Sequence, residues 1–202
     1  TFGSLAVIFT NLDLPPSAEA HPDRCGTCTA CLDECPTGAL SQKGLDARLC
    51  ISYWTIEHRG LIPQAVRPLL EDWVFGCDIC QDVCPWNLDA PRADATIWKP
   101  QIDRAWPDLL HWVQTDSKVL DAELLGSPMR RARGEGLRRN DMIVLANTSS
   151  VWALPAIEHV LQHDPDPVLR ATAAWAARQL GSPNAVKLAM MDEAEMVRME
   201  AQ

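Results

Sequence analysis

The sequence has no apolar run long enough to cross a membrane. Its longest uncharged stretches are Thr1 to Leu12 and Met142 to Ile157, the second broken by Asn147, Thr148, Ser149 and Ser150, whereas a spanning helix needs about 20 mostly apolar residues. No Lys- or Arg-led apolar segment opens the chain, so no secretory signal is visible, and the first residue is Thr rather than Met, as in a piece of something longer. Cysteine is missing from the last 118 residues. All eight cysteines fall at positions 25, 28, 31, 35, 50, 77, 80 and 84, so half of the chain is chemically marked and half is not. What is present is ample for one or two ordinary cores: 202 residues, 47% of them apolar, with 18 Lys plus Arg against 27 Asp plus Glu. That composition excludes a disordered tail or a collagen-like rod. Without an export signal the expected compartment is the reducing cytoplasm, where eight thiols imply metal rather than disulfides.

Residues 1–24 read as a strand, Leu5 to Phe9, and a connector. A lone strand needs a partner, which places a missing N-terminal domain upstream. Residues 25–90 form the cysteine region. Within it, Val66, Leu69, Leu70 and Trp73 stand at three-to-four spacing and predict a short helix over Pro63 to Trp73 despite Pro68. Asp89 to Lys99 reads as a linker. Residues 91–202 are helical in pattern: Leu109, Leu110, Trp112 and Val113 make one face, Leu137, Ile143, Val144 and Leu145 another, and Leu169, Ala173, Ala176 and Leu180 a third, closed by Gly181 with Pro183 beyond. Laying His163 to Ala173 over Met191 to Ala201 matches Asp164 with Asp192, Leu169 with Val197, Arg170 with Arg198 and Ala173 with Ala201, at an offset of 28 residues. This spacing suits a HEAT-like repeat, cut off in its second copy at Gln202. Two unrelated amphipathic helices that both begin with acids would give the same match. The expected fold class is therefore α+β, mostly α: a two-cluster bacterial ferredoxin-like module followed by HEAT-like helical repeats.

Cys25, Cys28, Cys31 and Cys35, followed by Pro36, have the gaps of two, two and three that mark the bacterial ferredoxin run. A tight loop can wrap three thiolates around three corners of a cubane while the fourth cysteine, at a helix start, serves the other cluster. Cys77, Cys80 and Cys84, followed by Pro85, form a degenerate second copy, and Cys50 stands in for the cysteine it lacks. The crossed assignment gives Cys25, Cys28, Cys31 and Cys84 to one [4Fe-4S] cluster and Cys35, Cys50, Cys77 and Cys80 to the other. Zinc uses similar two-residue gaps and would make the protein a colourless scaffold.

A second signal is basic. Arg130, Arg131, Arg133, Arg138 and Arg139 fall within ten residues that hold one acid, Glu135. Guanidinium forks suit phosphates, so the run reads as a polyanion-binding patch or, alternatively, as a solvated helix face. His21, His58, His111, His159 and His163 show no metal spacing. Trp54 and Trp86 sit beside cysteine motifs, where they could shield clusters from water.

The strings Ile51-Ser-Tyr-Trp-Thr-Ile-Glu-His-Arg-Gly60, Gly76-Cys-Asp-Ile-Cys-Gln-Asp-Val-Cys-Pro-Trp-Asn87, Gly126-Ser-Pro-Met-Arg-Arg-Ala-Arg133 and Leu137-Arg-Arg-Asn140 resemble the epoxyqueuosine reductase family, iron–sulfur and cobalamin enzymes that finish queuosine synthesis on tRNA. The resemblance runs from about residue 2 to 150. It implies two [4Fe-4S] clusters that reduce cobalamin, which removes the epoxide oxygen of epoxyqueuosine. It also implies a catalytic acid in an N-terminal domain, so no catalytic residue in this chain. Ser52 and Asp78, beside cluster cysteines, become candidate cobalamin contacts, although Ser52 could simply turn the chain and Asp78 cap a loop. Arg59, Arg130, Arg131, Arg133, Arg138 and Arg139 become candidate tRNA contacts. The implied partners are tRNA and a reduced flavodoxin or ferredoxin-type electron donor, with no membrane and a monomeric state. Two other readings stay open: a related cobalamin reductase acting on a small molecule, and an electron-transfer subunit docked to a protein.

Overall fold

Prolines and closely spaced cysteine turns leave the first half little room for long helices. The computed structural model describes residues 6–16, 22–89 and 101–201; the linker expected from Asp89 to Lys99 lies almost wholly outside the described residues, as do Leu5, His21 and Gln202. Residues 6–16 carry no regular secondary structure, and Val7, Ile8 and Phe9 are 81%, 87% and 95% exposed. The strand expected there is not formed over its described part. Among the described residues the one sheet is the hairpin of β1 (Leu40–Ser41) and β2 (Gly44–Leu45), antiparallel with Leu40 opposite Leu45, and residues 6–9 have no strand beside them to complete a ladder.

Helices α1 (Ala30–Asp33) and α2 (Ile79–Asp82) are single turns, the first following the Cys25–Cys28 segment and the second starting within Cys77–Cys80, and they pack on each other. α2 stops because Pro85 requires an extended residue before it, and Cys84 is extended at φ −72° and ψ 119°. Between them, Tyr53–Glu57 make one π-helical turn. The helix expected over Pro63 to Trp73 is instead a 3-10 turn, Arg67–Leu70. Pro68 has no N–H for an α-helical bond, and Glu71 closes the turn with φ 47°. Leu70 is still fully buried, as the spacing requires.

The second half is helical throughout: α3 (Ile102–Ala105), α4 (Leu109–Gln114), α5 (Ser117–Glu123), α6 (Arg133–Asn147), α7 (Leu154–His163), α8 (Pro167–Gln179), α9 (Ala185–Met190) and α10 (Glu195–Met199). Aspartates start three of them, with Asp108, Asp116 and Asp166 side chains accepting backbone N–H groups of the first turn. Gly181, at φ 80°, ends α8, and the Ser182 N–H reaches back to the Ala177 carbonyl. α6 and α8 are buried on nearly every side. Gly134 permits this at the start of α6: a Cβ there would lie 2.0 Å from the Ser117 carbonyl oxygen, so the two backbones touch. One core unites both halves, with Ile51, Ile62 and Leu70 packed among Ile143, Leu145, Ile157, Leu169 and Trp175. A smaller core gathers Trp112, Leu120, Leu124, Ala132 and Leu137.

Buried ion pairs lace the helices. Arg67 grips Glu200 with two bonds, Nη1 to Oε2 at 2.9 Å and Nη2 to Oε1 at 2.6 Å, while Gln64 donates to Oε2 and Arg67 Nε donates to the Ile62 carbonyl. The Arg67 guanidinium also lies 5.1 Å from the Trp175 ring centroid. Farther along, the two segments matched by sequence repeat one geometry. Asp164 accepts the Asp166 N–H as Asp192 accepts that of Ala194; Arg170 Nη1 donates to the carbonyls of Asp164 and Pro165 as Arg198 Nη1 donates to those of Asp192 and Glu193. Each aspartate is in turn held by an arginine from an earlier helix, Arg138 to Asp164 at 2.7 Å and Arg170 to Asp192 at 2.8 Å.

Asp141, on α6, is completely buried, and neither carboxylate oxygen has a hydrogen-bond partner among the described residues. Burial pushes its pKa well above the ordinary carboxylate range, against the pull of Arg138.

Glu200→Ala strands the Arg67 cation in the core, and a loss of about 3–5 kcal/mol in denaturant unfolding is expected. Because Asp141 holds its proton more tightly when folded, its contribution is complete below the unfolded carboxylate pKa and is lost as pH rises through the folded value. Asp141→Asn should therefore be more stable than the parent at pH 8, with the gap closing as pH falls toward the carboxylate range. A gap independent of pH would show that Asp141 does not titrate in this way.

Candidate functional site

The cysteine loops owe their shape to backbone turns: the Cys28 N–H donates to the Cys25 carbonyl at 3.0 Å, and the Asp78 carbonyl accepts from Gln81 and Asp82 at 2.8 and 2.9 Å. Packing α1 on α2 folds these loops together. Cys35, Cys50, Cys77 and Cys80 then line one cavity of about 380 Å³, together with Ser52, Asp78, Pro36, Ile51 and Ile79. Cys25 and Cys28 are exposed, and Cys31 and Cys84 half-buried, so the surroundings of this second set are more open. Cys31 is on α1 and Cys84 follows α2. All eight cysteines are unbridged. Among the described residues no three His, Cys, Asp or Glu side chains converge as the ligands of a single metal ion do.

Gathering thiols has an electrostatic cost. Burial pushes the Cys77 and Cys80 thiols up, and neighbouring cysteines, Cys50 and Cys35 among them, push further. Cys25 is raised chiefly by the Asp23 carboxylate. Cys35 goes the other way: burial opposes ionisation, but the Thr37 hydroxyl and the backbone of Leu40, Thr37 and Ala39 outweigh it and lower its pKa. A site that gathers thiolates needs a bound metal cation to offset their repulsion.

The cavity is held by a polar clamp. Ser52 Oγ donates to the Cys77 carbonyl at 3.3 Å, and the buried Thr55 hydroxyl accepts the Gly76 N–H at 3.0 Å while donating to the Ile51 carbonyl. These bonds lock the segment after Cys50 to the segment before Cys77. The π-helical turn leaves carbonyls without ordinary helical partners, and α6 supplies donors for them. Arg139 Nη1 reaches the carbonyls of Gly60 and His58 at 2.7 and 3.1 Å, and its Nη2 reaches that of Trp54 at 2.9 Å. Asn140 Nδ2 donates to the carbonyls of Thr55 and Val74, both at 2.8 Å. Burial, reinforced by Arg59, lowers the pKa of Arg139 to about 10.

This clamp corrects the five-arginine surface patch. Arg138 and Arg139 are 6% and 2% exposed and spend their donors inside the protein, Arg138 on the Val113 carbonyl, Ser117 and Asp164. Neither is on the surface to meet a polyanion, because α6 is buried all round rather than on one face. Arg59 is exposed but donates to the carbonyls of Ile56, Arg131 and Ala132. Arg131 pairs with Glu57 at 2.6 Å. Arg130 and Arg133 remain outward and, with Asp121, Arg131 and Glu135, line a surface depression of about 530 Å³.

Trp54 is half-buried, with its Nε1 donating to the Arg48 carbonyl and its ring meeting His58 edge-on, whereas Trp86 is 58% exposed. Burial lowers the His58 pKa. Sequence reasoning overlooked Thr55, Arg67, Asn140, Asp141 and Glu200. A usable signal existed for two of them: Arg-Arg-Asn-Asp at 138–141 runs without a Gly or Pro straight into the apolar Met142 to Ala146, and a polar run continuous with a buried helix marks an internal network.

Asn140→Ala leaves the Thr55 and Val74 carbonyls without this donor, at about 1–3 kcal/mol for each group left unsatisfied. A lowered denaturation midpoint together with reduced iron content on purification is the expected result, whereas iron loss should be absent from a surface variant such as Lys187→Ala.

Residues 24–87 match the 4Fe-4S double cluster binding domain family. The chain is 38% identical over 183 residues to the epoxyqueuosine reductase of Xanthomonas campestris, covering 88% of this chain and 50% of that protein. It also superimposes on the crystal structure of an epoxyqueuosine reductase with an epoxyqueuosine-modified tRNA-Tyr stem loop, with a TM-score of 0.81 and 30% identity over 90% of this chain and 49% of that one. The Bacillus subtilis epoxyqueuosine reductase structure gives a TM-score of 0.82 at 30% identity, over 93% and 51% of the two chains. The chain thus spans about half the length of the epoxyqueuosine reductases it matches. With the cysteine cavity, the matched cluster domain and the likeness carried across both halves, the chain belongs to the epoxyqueuosine reductase family.

Proposed function

We propose that this chain carries the electron-transfer and RNA-facing part of an epoxyqueuosine reductase, which reduces epoxyqueuosine to queuosine in tRNA with electrons delivered through two [4Fe-4S] clusters. The cavity shared by Cys35, Cys50, Cys77 and Cys80 carries this reading, because it joins cysteines from three separate stretches of chain in the crossed pattern of a two-cluster ferredoxin. Cys25, Cys28, Cys31 and Cys84 would hold the other cluster. Its exposed side suits entry of electrons from a reduced flavodoxin or ferredoxin-type donor.

Beside the cluster of the first cavity, Ser52 and Asp78 would be the contacts of a cobalamin. Both line that cavity, and the Asp78 side chain makes no capping bond to α2, which leaves a carboxylate to face a cofactor. When bound, cobalamin supplies the reduced metal centre for removing the epoxide oxygen, a net change of two electrons and two protons. The role of Ser52 is then double: its hydroxyl hydrogen holds the Cys77 carbonyl and its lone pairs remain free as acceptors. Arg130, Arg131 and Arg133, backed by Arg59, form the tRNA-facing surface of this reading. The matched Arg170 and Arg198 geometries support HEAT-like units in the helical half, and we read the protein as a cytoplasmic monomer.

Anaerobic purification with iron and zinc analysis tests the cluster part. About eight irons per chain and brown absorbance are expected. Zinc without colour would overturn it. Under the crossed assignment, Cys35→Ala and Cys77→Ala deplete one cluster and Cys25→Ala the other, as distinguished by electron paramagnetic resonance of the reduced protein; Cys35→Ala and Cys25→Ala depleting the same cluster would refute the crossing. Binding of a tRNA anticodon stem loop should weaken as salt rises. Iron without RNA binding would favour an electron carrier or a small-molecule reductase.

A further inference from the structure

We infer that the backbone at Arg133 is held in a strained conformation in order to present Arg133, with Arg130, as a fork for phosphodiester groups of RNA; the inference deepens the tRNA reading above and rests on it. Arg133 has φ 62° and ψ 162°, a region that is essentially the preserve of glycine. Glycines stand close by at 134 and 136, yet position 133 carries a long cation. Strain of this kind persists only where its surroundings dictate it, and here both flanks are fixed. On one side Arg59 donates to the Arg131 carbonyl at 2.6 Å and to that of Ala132 at 3.4 Å, and Ala132 is buried in the smaller core. On the other, the Gly134 N–H donates to Asp121 Oδ1 at 2.9 Å, and Gly134 lies against the Ser117 backbone. Residue 133 bridges two buried anchors while its own side chain stays outside.

The charges around it are already divided. Among the described residues Arg131 is neutralised by Glu57, Asp121 is occupied by Gly134, and Arg138 and Arg139 are internal, whereas no hydrogen bond or ion pair engages the guanidinium of Arg130 or of Arg133. Arg133 lines two depressions at once, one shared with Arg130, Arg131, Asp121 and Glu135, the other with Arg59, Arg139, His58, Glu135 and Asp166. Glu135 faces both and the carboxylates of Asp121 and Asp166 face one each, so attraction for an anion rests on the two unpaired guanidiniums rather than on net charge. Two unspent cations lining one depression suit phosphates of an RNA strand.

The test compares Arg133→Gly, Arg133→Ala and Arg130→Ala in the intact enzyme, using thermal melting and salt-titrated binding of an unmodified anticodon stem loop. Both Arg133 variants lose the same cation, but glycine relaxes the backbone and alanine does not, so Arg133→Gly should melt above Arg133→Ala. Both should bind the RNA more weakly, with the log–log salt slope reduced by about 0.7–0.9 for each phosphate no longer held, and Arg130→Ala should do the same without altering melting. Equal melting of the two Arg133 variants would overturn the strain, and RNA affinity and slope unchanged by all three would overturn the fork while leaving the tRNA reading intact. Failure of the unmutated enzyme to bind the stem loop would instead remove the reading on which the inference stands.

Discussion

The structure depends on donors supplied from α6 to a π-helical turn that cannot satisfy itself. Arg139 and Asn140 take up the carbonyls of Trp54, Thr55, His58, Gly60 and Val74, and so tie the segments on either side of the cluster cavity to the central helix of the other half. A buried guanidinium is tolerated without a carboxylate beside it because Arg139 finds acceptors on every side. The turn in turn places Cys50, Ser52 and Thr55 against the loop that carries Gly76 and Cys77. Cluster geometry is thereby set by a helix that bears no cysteine.

Much of the site was legible in the sequence, because cysteine spacing encodes cluster chemistry through local chain geometry. Gaps of two and three residues are short enough that the turn between ligands is nearly determined, and Cys35, Cys50, Cys77 and Cys80 line one cavity. The helical half was legible for a related reason: Leu169, Ala173, Ala176 and Leu180 are buried along α8 and its C-terminal end, and Gly181 closes it with a positive φ. Proline was less transparent. Val66 to Trp73 has helical spacing, yet Pro68 converts it to a 3-10 turn that buries Leu70 all the same.

The arginines show where local reading fails. A run of five cations looks like one surface, but three-dimensional packing divides it by position on and before α6. Arg138 and Arg139 face the interior, Arg131 has an acidic neighbour, and only Arg130 and Arg133 remain uncommitted among the described members of that run. Nothing in residue type distinguishes these roles. Burial depends on partners such as Ser117, Val113 and Trp54, which lie far away along the chain, and the same distance concealed the pairing of Arg67 with Glu200.

That pairing also bears on how the protein emerges from the ribosome. Arg67 belongs to the cysteine-bearing half, and its carboxylate partner is made only after almost every helix that packs between them. Until Glu200 arrives, the pocket beside Trp175 would enclose an uncompensated cation, so the shared core cannot close in its final form during synthesis of the first half. Iron would then have to be inserted into a module that is still open, or after release of the whole chain. Closure of the core around Arg67 therefore waits on a carboxylate that follows in the chain after the helices packed beside it.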